Sequence, residues 1–298
     1  MWGKILRCAT ICGFLWRLAA NLTSSGMSGN QDGLCCICGL HGKLSFEHVP
    51  PRAAFNDQRI FEANIDTMLK GKWSVGERPT EGRYAQRGSG RYSLCNKCNN
   101  DTGSWYGASY VEVAKRAMTL LYMSSGNLSL AYPYSMWPLR FLKQIVVMFF
   151  SACGPELQKG NPALVRFVLN KEEQQFPDRI KIYAYLHHPT KSSIIRQSGL
   201  SGVVTPSGAH VFSEIAFPPF GLILSIDRPP IDRRLCELTH LAEHRFSTKR
   251  DVYLKLPVFP VTTPLPGDFR TEEDVRRDMV ENNRLGSLHL NQPIPELG

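Results

Sequence analysis

Two Cys-x-x-Cys pairs, Cys35/Cys38 and Cys95/Cys98, constrain what this chain can fold into more than any other feature, and 56 residues separate them. Tetrahedral zinc takes four ligands, and two such knuckles supply two each. A closed four-thiolate shell leaves no open position for chemistry. The expected role of the Zn²⁺ is therefore structural, drawing two distant segments together. The chain has nine cysteines, an odd number in uneven groups. That usage suits metal ligation in a reducing compartment, the cytoplasm, better than a disulfide framework. Cys36 sits inside the first group but out of register, and reads as a bystander.

The 298 residues are 43% hydrophobic and 20% charged, which excludes a globally disordered chain and leaves room for about two domains. No window of 18 uninterrupted apolar residues offers a transmembrane span. The formal net charge is +9, divided as +3 over residues 1–26, +2 over 27–110 and +4 over 111–298. Basicity of this size fits a partner with a phosphate backbone. Because it is not gathered into a tail, phosphate contacts must come from individually placed residues. Residues 1–30 carry Lys4, Arg7 and Arg17 around a short apolar run. They read as a leader, a flexible tail or an upstream extension of a start at Met27, and are set aside.

Chemistry-bearing residues cluster around the cysteines. Between the pairs lies Phe46-Glu47-His48-Val49-Pro50-Pro51, and Asn99-Asn100-Asp101 follows the second pair directly. A neutral imidazole near pH 7 makes His48 a natural general base. Glu47 offers a hard anionic oxygen and Asn99 a neutral carbonyl oxygen, donors that Mg²⁺ or Mn²⁺ accepts alongside waters and a substrate phosphate. Asn99 also reads as a helix N-cap past the knuckle, with Asn100 competing for the ligand role. Arg83, Arg87, Arg91 and Lys97 gather near the second pair. The segment Arg87-Gly88-Ser89-Gly90-Arg91 could wrap a phosphate, glycine allowing close backbone approach.

The order CCICG, FEHVPP, LCNKCNNDTG over about residues 33–106 resembles the HNH nuclease family of the ββα-metal type. The resemblance implies a zinc-stapled ββα domain and endonuclease activity on nucleic acid, with DNA the expected substrate. It gives His48 the role of base, Glu47 and Asn99 that of divalent-cation ligands, and the Cys₄ site that of structural zinc. By analogy, stand-alone nucleases of this kind resemble parts of restriction or phage-defence systems. Two departures stand out. Glu47 replaces the commoner Asp, and no Asn or His shortly precedes the second pair; Gln86, Asn56 and Asn64 are the candidates for that middle position. The rival expectation is a zinc-stapled nucleic-acid-binding module without cleavage.

The organisation expected is α+β: the zinc/nuclease domain over 31–106, then an α+β domain over 107–298 with two helices and an antiparallel sheet. Helical spacing covers Tyr110–Met123, and Pro138 opens an apolar helix that ends before Gly154. Strand texture follows in ALVRFVLN (163–170), RIKIYAYLHH (179–188), HVFSEIAF (210–217), FGLILSID (220–227) and VYLKLPV (252–258). This second domain could also hold a protein partner. His240-Leu-Ala-Glu243-His244 matches an inverted zinc-protease motif but lacks the surrounding fold, and reads as a surface helix. His187-His188 reads as a strand end.

Overall fold

The computed structural model describes residues 16–19, 31–65, 77, 79, 81–123, 126–190, 193–205 and 208–290. Most of the stretch set aside as a leader lies outside them, although Trp16–Ala19 form a strand, β1. The cysteine-bearing part follows: β2 (Gln31–Leu34), β3 (His41–His48), β4 (Ile60–Asn64), β5 (Arg83–Ala85), β6 (Gly90–Cys95) and helix α1 (Asn96–Thr102). A π-helical turn, Gly103–Gly107, joins α1 to α2 (Ala108–Met123), so the helical path runs unbroken across residue 106. Next come β7 (Ser129–Met136), α3 (Pro138–Cys153), α4 (Pro155–Gly160) and α5 (Pro162–Leu169). The remainder is β8 (Ile180–His187), β9 (Ile194–Gln197), β10 (Ser201–Thr205), β11 (Gly208–Phe217), β12 (Phe220–Ile226), β13 (Cys236–Glu237), β14 (Arg250–Phe259) and α6 (Glu272–Leu290).

The chain is thus α+β, with a small sheet β2-β3-β6 and a large one ordered β5-β4-β1-β9-β11-β12-β8-β14-β7. The large sheet is mixed rather than purely antiparallel: β1 pairs in parallel with β4 and β9, and the end of β14 with β8. These parallel pairs join segments far apart in sequence, which no local turn signal announces. Ile194 N donates to Val261 O at 2.8 Å, so the chain just beyond β14 returns to β9.

α3 forms where proline occupies its first turn, and every one of its side chains except Arg140 is buried. One hydrophobic cluster takes in α3, α2, α5 and one face of β8, together with Cys35, Ile37, Val49, Leu94 and Cys98. The cysteine-bearing segment and the central helix therefore share a core. Residues 163–170, which carry strand texture, are instead α5. Pro162 starts that helix, and Leu164, Phe167 and Val168 fall at helical spacing on its buried side. Its terminal carbonyls meet the buried Lys143 ammonium, which donates to Phe167 O at 2.5 Å and Asn170 O at 2.8 Å.

The opposite face of β8 meets a second cluster, with Tyr185, Ile194, Phe212, Ile223 and Phe259. Inside it Arg196 and Glu214 pair at 2.9 Å, both fully buried. Tyr185 Oη donates to Glu214 Oε1 at 2.6 Å, and Arg196 donates to the carbonyls of Thr263, Leu265 and Asp268. The pair thereby ties the segment beyond β14 to the sheet. Gly221 lies under the Tyr185 ring, where a Cβ would come within 1.7 Å of Tyr185 Cζ.

A candidate metal centre beside a histidine-bearing strand

The two knuckles converge as the spacing implies. Cys35 and Cys38 occupy the turn between β2 and β3, with Gly39 at φ +72° where a side chain would be strained. Cys36 N donates to Ser93 O at 2.8 Å, which fastens this turn to β6. Cys95 ends β6 and caps α1, its Sγ accepting from Cys98 N at 3.5 Å. All four Sγ atoms lie within 4.8 Å of one another, and Cys38 and Cys95 are 3.9 Å apart. Zinc–sulfur bonds of about 2.3 Å imply tetrahedral sulfur separations of roughly 3.8 Å, so this all-thiol donor set fits a structural Zn²⁺. A hydrogen bond from Cys98 pulls the Cys35 thiol down to about 4, and the same contact and burial push Cys98 up. Metal binding would release such shared protons. Cys36 stands outside the four, and burial pushes its thiol up to about 12.

β3, β6 and α1 form two antiparallel strands and a helix, with Glu47 and His48 ending β3 and Asn99 inside α1. Asn99 Nδ2 donates to Ser45 Oγ at 3.0 Å and to Phe46 O at 3.4 Å. Phe46 O can only accept, so the amide orientation is fixed and Oδ1 is left accepting no hydrogen bond among the described residues. The Glu47 carboxyl likewise takes no hydrogen bond or ion pair among them, and burial raises it to about 7. Gly90 pairs with His48 across the strands, and a Cβ there would come within 2.3 Å of the backbone carbonyl oxygen of Glu47. No hydrogen bond joins the side chains of Glu47, His48 and Asn99 to one another; those of Asn99 go to the two residues preceding Glu47.

His48 is held on two sides. Its ring meets Phe46 edge-on at 5.0 Å between centroids, and Nε2 lies 3.0 Å from Arg87 O. A carbonyl cannot donate, so Nε2 carries the proton and Nδ1 keeps its lone pair. Burial lowers the His48 pKa, the bond to Arg87 O opposes this, and the charges of Arg52 and Arg87 lower it further.

Asn56, one of the three candidates for the middle position, bonds to Pro50 and Ser89. It is 1% exposed; Nδ2 donates to Pro50 O at 2.6 Å and Ser89 O at 2.7 Å, and Oδ1 accepts from Ser89 N at 2.6 Å. It clamps the chain after His48 to the loop that holds the His48 ring. Gln86 is exposed on that loop, and Asn64 ends β4 in the large sheet.

The four expected phosphate contacts separate. Arg83 pairs with Glu62 at 3.1 Å and Lys97 with Asp101 at 2.6 Å. Arg91 donates to Ala152 O at 3.1 Å, at the end of α3. Arg87 is exposed and in no ion pair among the described residues. Arg52, not singled out in the sequence, shares both properties; its only signal was its place four residues after His48. The His240/His244 motif falls on and just after a short 3₁₀ turn, Thr239–Glu243, and among the described residues the four cysteines are the one cluster of three or more His, Cys, Asp or Glu placed to hold a metal ion. His187 is fully buried with neither ring nitrogen hydrogen-bonded among the described residues, and burial lowers its pKa to about 3. No helix among the described residues is long and apolar enough to cross a membrane. Comparison of the chain with protein-family models, with curated proteins and with solved structures finds no match.

Proposed function

We propose that this protein is a metal-dependent, HNH-type endonuclease that hydrolyses phosphodiester bonds in DNA, working in the cytoplasm. The observation that carries the reading is the bonding of Asn99, in the helix after the second knuckle, onto β3 within two residues of Glu47-His48. A ββα unit stapled by four cysteines is the arrangement the sequence resemblance implies.

In this reading His48 accepts the proton of the attacking water at Nδ1, while the Arg87 carbonyl holds the ring from behind. Glu47 and Asn99 each present side-chain oxygen with no hydrogen-bond partner among the described residues, and they would hold Mg²⁺ or Mn²⁺. That ion supplies charge neutralisation at the scissile phosphate. Arg52 and Arg87 contribute positive charge beside His48 and suit non-bridging phosphate oxygens. Arg83, Arg91 and Lys97 take secondary parts, because each already has a partner.

A plasmid-nicking assay with Mg²⁺ or Mn²⁺, beside a gel shift at two salt concentrations, tests the reading. Metal-dependent nicking that disappears in a folded, zinc-loaded His48→Ala protein supports it. Nicking equal to the parent in that variant overturns the mechanism. Salt-sensitive binding with no nicking under any metal overturns the enzyme reading in favour of a zinc-stapled binding module.

A further inference from the structure

Gln197 stands at the end of β9, 148 residues from Val49, yet its amide reaches the chain on both sides of His48. Nε2 donates one hydrogen to Val49 O at 2.5 Å and the other to Ser89 Oγ at 2.6 Å. Val49 follows His48 directly, and its N donates to Ser89 O at 3.0 Å. Ser89 lies two residues beyond Arg87, whose carbonyl holds the His48 ring. The amide orientation is fixed because Val49 O can only accept. Gln197 Oε1 is then left buried with no hydrogen-bond partner among the described residues. An orphaned acceptor offsets much of what two donated bonds contribute to stability, and a leucine would fill the same space without one. What leucine cannot do is fix two separate loops at one point.

We infer that Gln197 is a positioning residue for His48: its two donated bonds hold the Val49 and Ser89 loops in the register that keeps His48 Nε2 on Arg87 O. The large sheet thereby completes a site whose other parts all lie before residue 103. This rests on the reading of His48 as the base.

The test uses the full chain with Gln197→Leu, and with Ser89→Ala as a milder variant that removes only one of the two acceptors. Zinc content and circular dichroism establish folding. Two readouts follow. Long-range ¹⁵N–¹H spectra, with the His48 signals assigned from His48→Ala, report which ring nitrogen carries the proton. Steady-state cleavage reports kcat and KM separately. The expected result is a single Nε2-protonated form in the parent and a mixture of forms in Gln197→Leu. In that variant kcat should fall about tenfold to a hundredfold while KM holds, as a displaced catalytic group implies. Should Gln197→Leu fail to fold, Ser89→Ala shows the same mixture in weaker form. Parent-like His48 spectra in every folded variant overturn the inference. A parent that cuts nothing overturns the nuclease reading instead, and the spectra still decide whether Gln197 fixes His48.

Discussion

Asn99 Nδ2 donates to Ser45 Oγ at 3.0 Å across 54 residues of sequence, fastening helix α1 to strand β3. Ser45 in turn donates to Leu94 O at 2.8 Å, so the same hydroxyl also ties β3 to β6. Replacing Asn99 with Ala removes both the fastening and the free Oδ1. Metal-dependent nicking is expected to fall about 100-fold or more, whereas Ser45→Ala, which leaves Oδ1 in place, should cost about tenfold. Titrating Mn²⁺ in each variant checks the order: the metal requirement should rise more in Asn99→Ala than in Ser45→Ala.

His48→Ala should retain the fold and the zinc and lose about 10²- to 10⁴-fold in cleavage rate, the usual contribution of a general base. Arg52→Ala and Arg87→Ala should weaken DNA binding at low salt and reduce the slope of log affinity against log salt by about one each. Arg83→Ala and Lys97→Ala should leave that slope nearly unchanged, since Glu62 and Asp101 already hold those charges. Gel shifts over a salt series measure all four.

Cys95→Ser should lower the zinc content and destabilise the molecule as a whole, because Cys35 and Cys98 belong to the same hydrophobic cluster as α3. Cys36→Ser should leave the metal content at the parental value. A chelator-competition assay with a thermal melt distinguishes the two. A zinc stoichiometry lowered in both variants would contradict the assignment of Cys36 as a bystander.

Lys143 gives a pH dependence with a definite sign. Burial lowers its folded-state pKa to about 7, although Glu173 and Glu172 nearby act to raise it. A free lysine titrates near 10.4. Between these values the unfolded chain binds a proton that the folded chain does not. Stability therefore rises with pH over this window and loses that contribution as pH falls toward 7. Urea denaturation at pH 7.5, 8.5 and 9.5 should show the parent gaining up to about 1 kcal/mol per pH unit over Lys143→Met. Parallel pH profiles for the two proteins would remove Lys143 as the source.

The Arg196–Glu214 pair is buried on both sides, so removing one partner strands a charge. Glu214→Ala should cost about 3–5 kcal/mol in unfolding free energy, and Arg196→Met combined with Glu214→Leu should cost less than Glu214→Ala alone. Denaturant melts of the two proteins test this, and a double variant weaker than the single would show the pair to be net stabilising.

What the sequence disclosed was local. The two knuckles, Glu47-His48 and Asn99 are short-range patterns, and Pro138 announces α3 by the position it takes in a first turn. Residues 163–170 were misleading because Val165 and Val168 favour strands in isolation; burial beside Lys143 and the opening Pro162 outweigh that preference. The clamp that Asn56 forms was not legible, since it depends on Ser89 lying opposite. Gln197 carried no signal at all. A glutamine in an unremarkable tetrapeptide acquires meaning only when β9 delivers it to Val49, and pairing between distant segments leaves no trace in local composition.

Gly221 has a consequence for recognising kin of this protein. The Tyr185 ring occupies the space a Cβ would need there, and that ring delivers its hydroxyl to Glu214. A side chain at 221 would force the Tyr185 ring to shift, and with it the hydroxyl bonded to Glu214. Tyr185, Glu214 and Gly221, read as a linked triplet, form a fingerprint that lies wholly outside the cysteine knuckles.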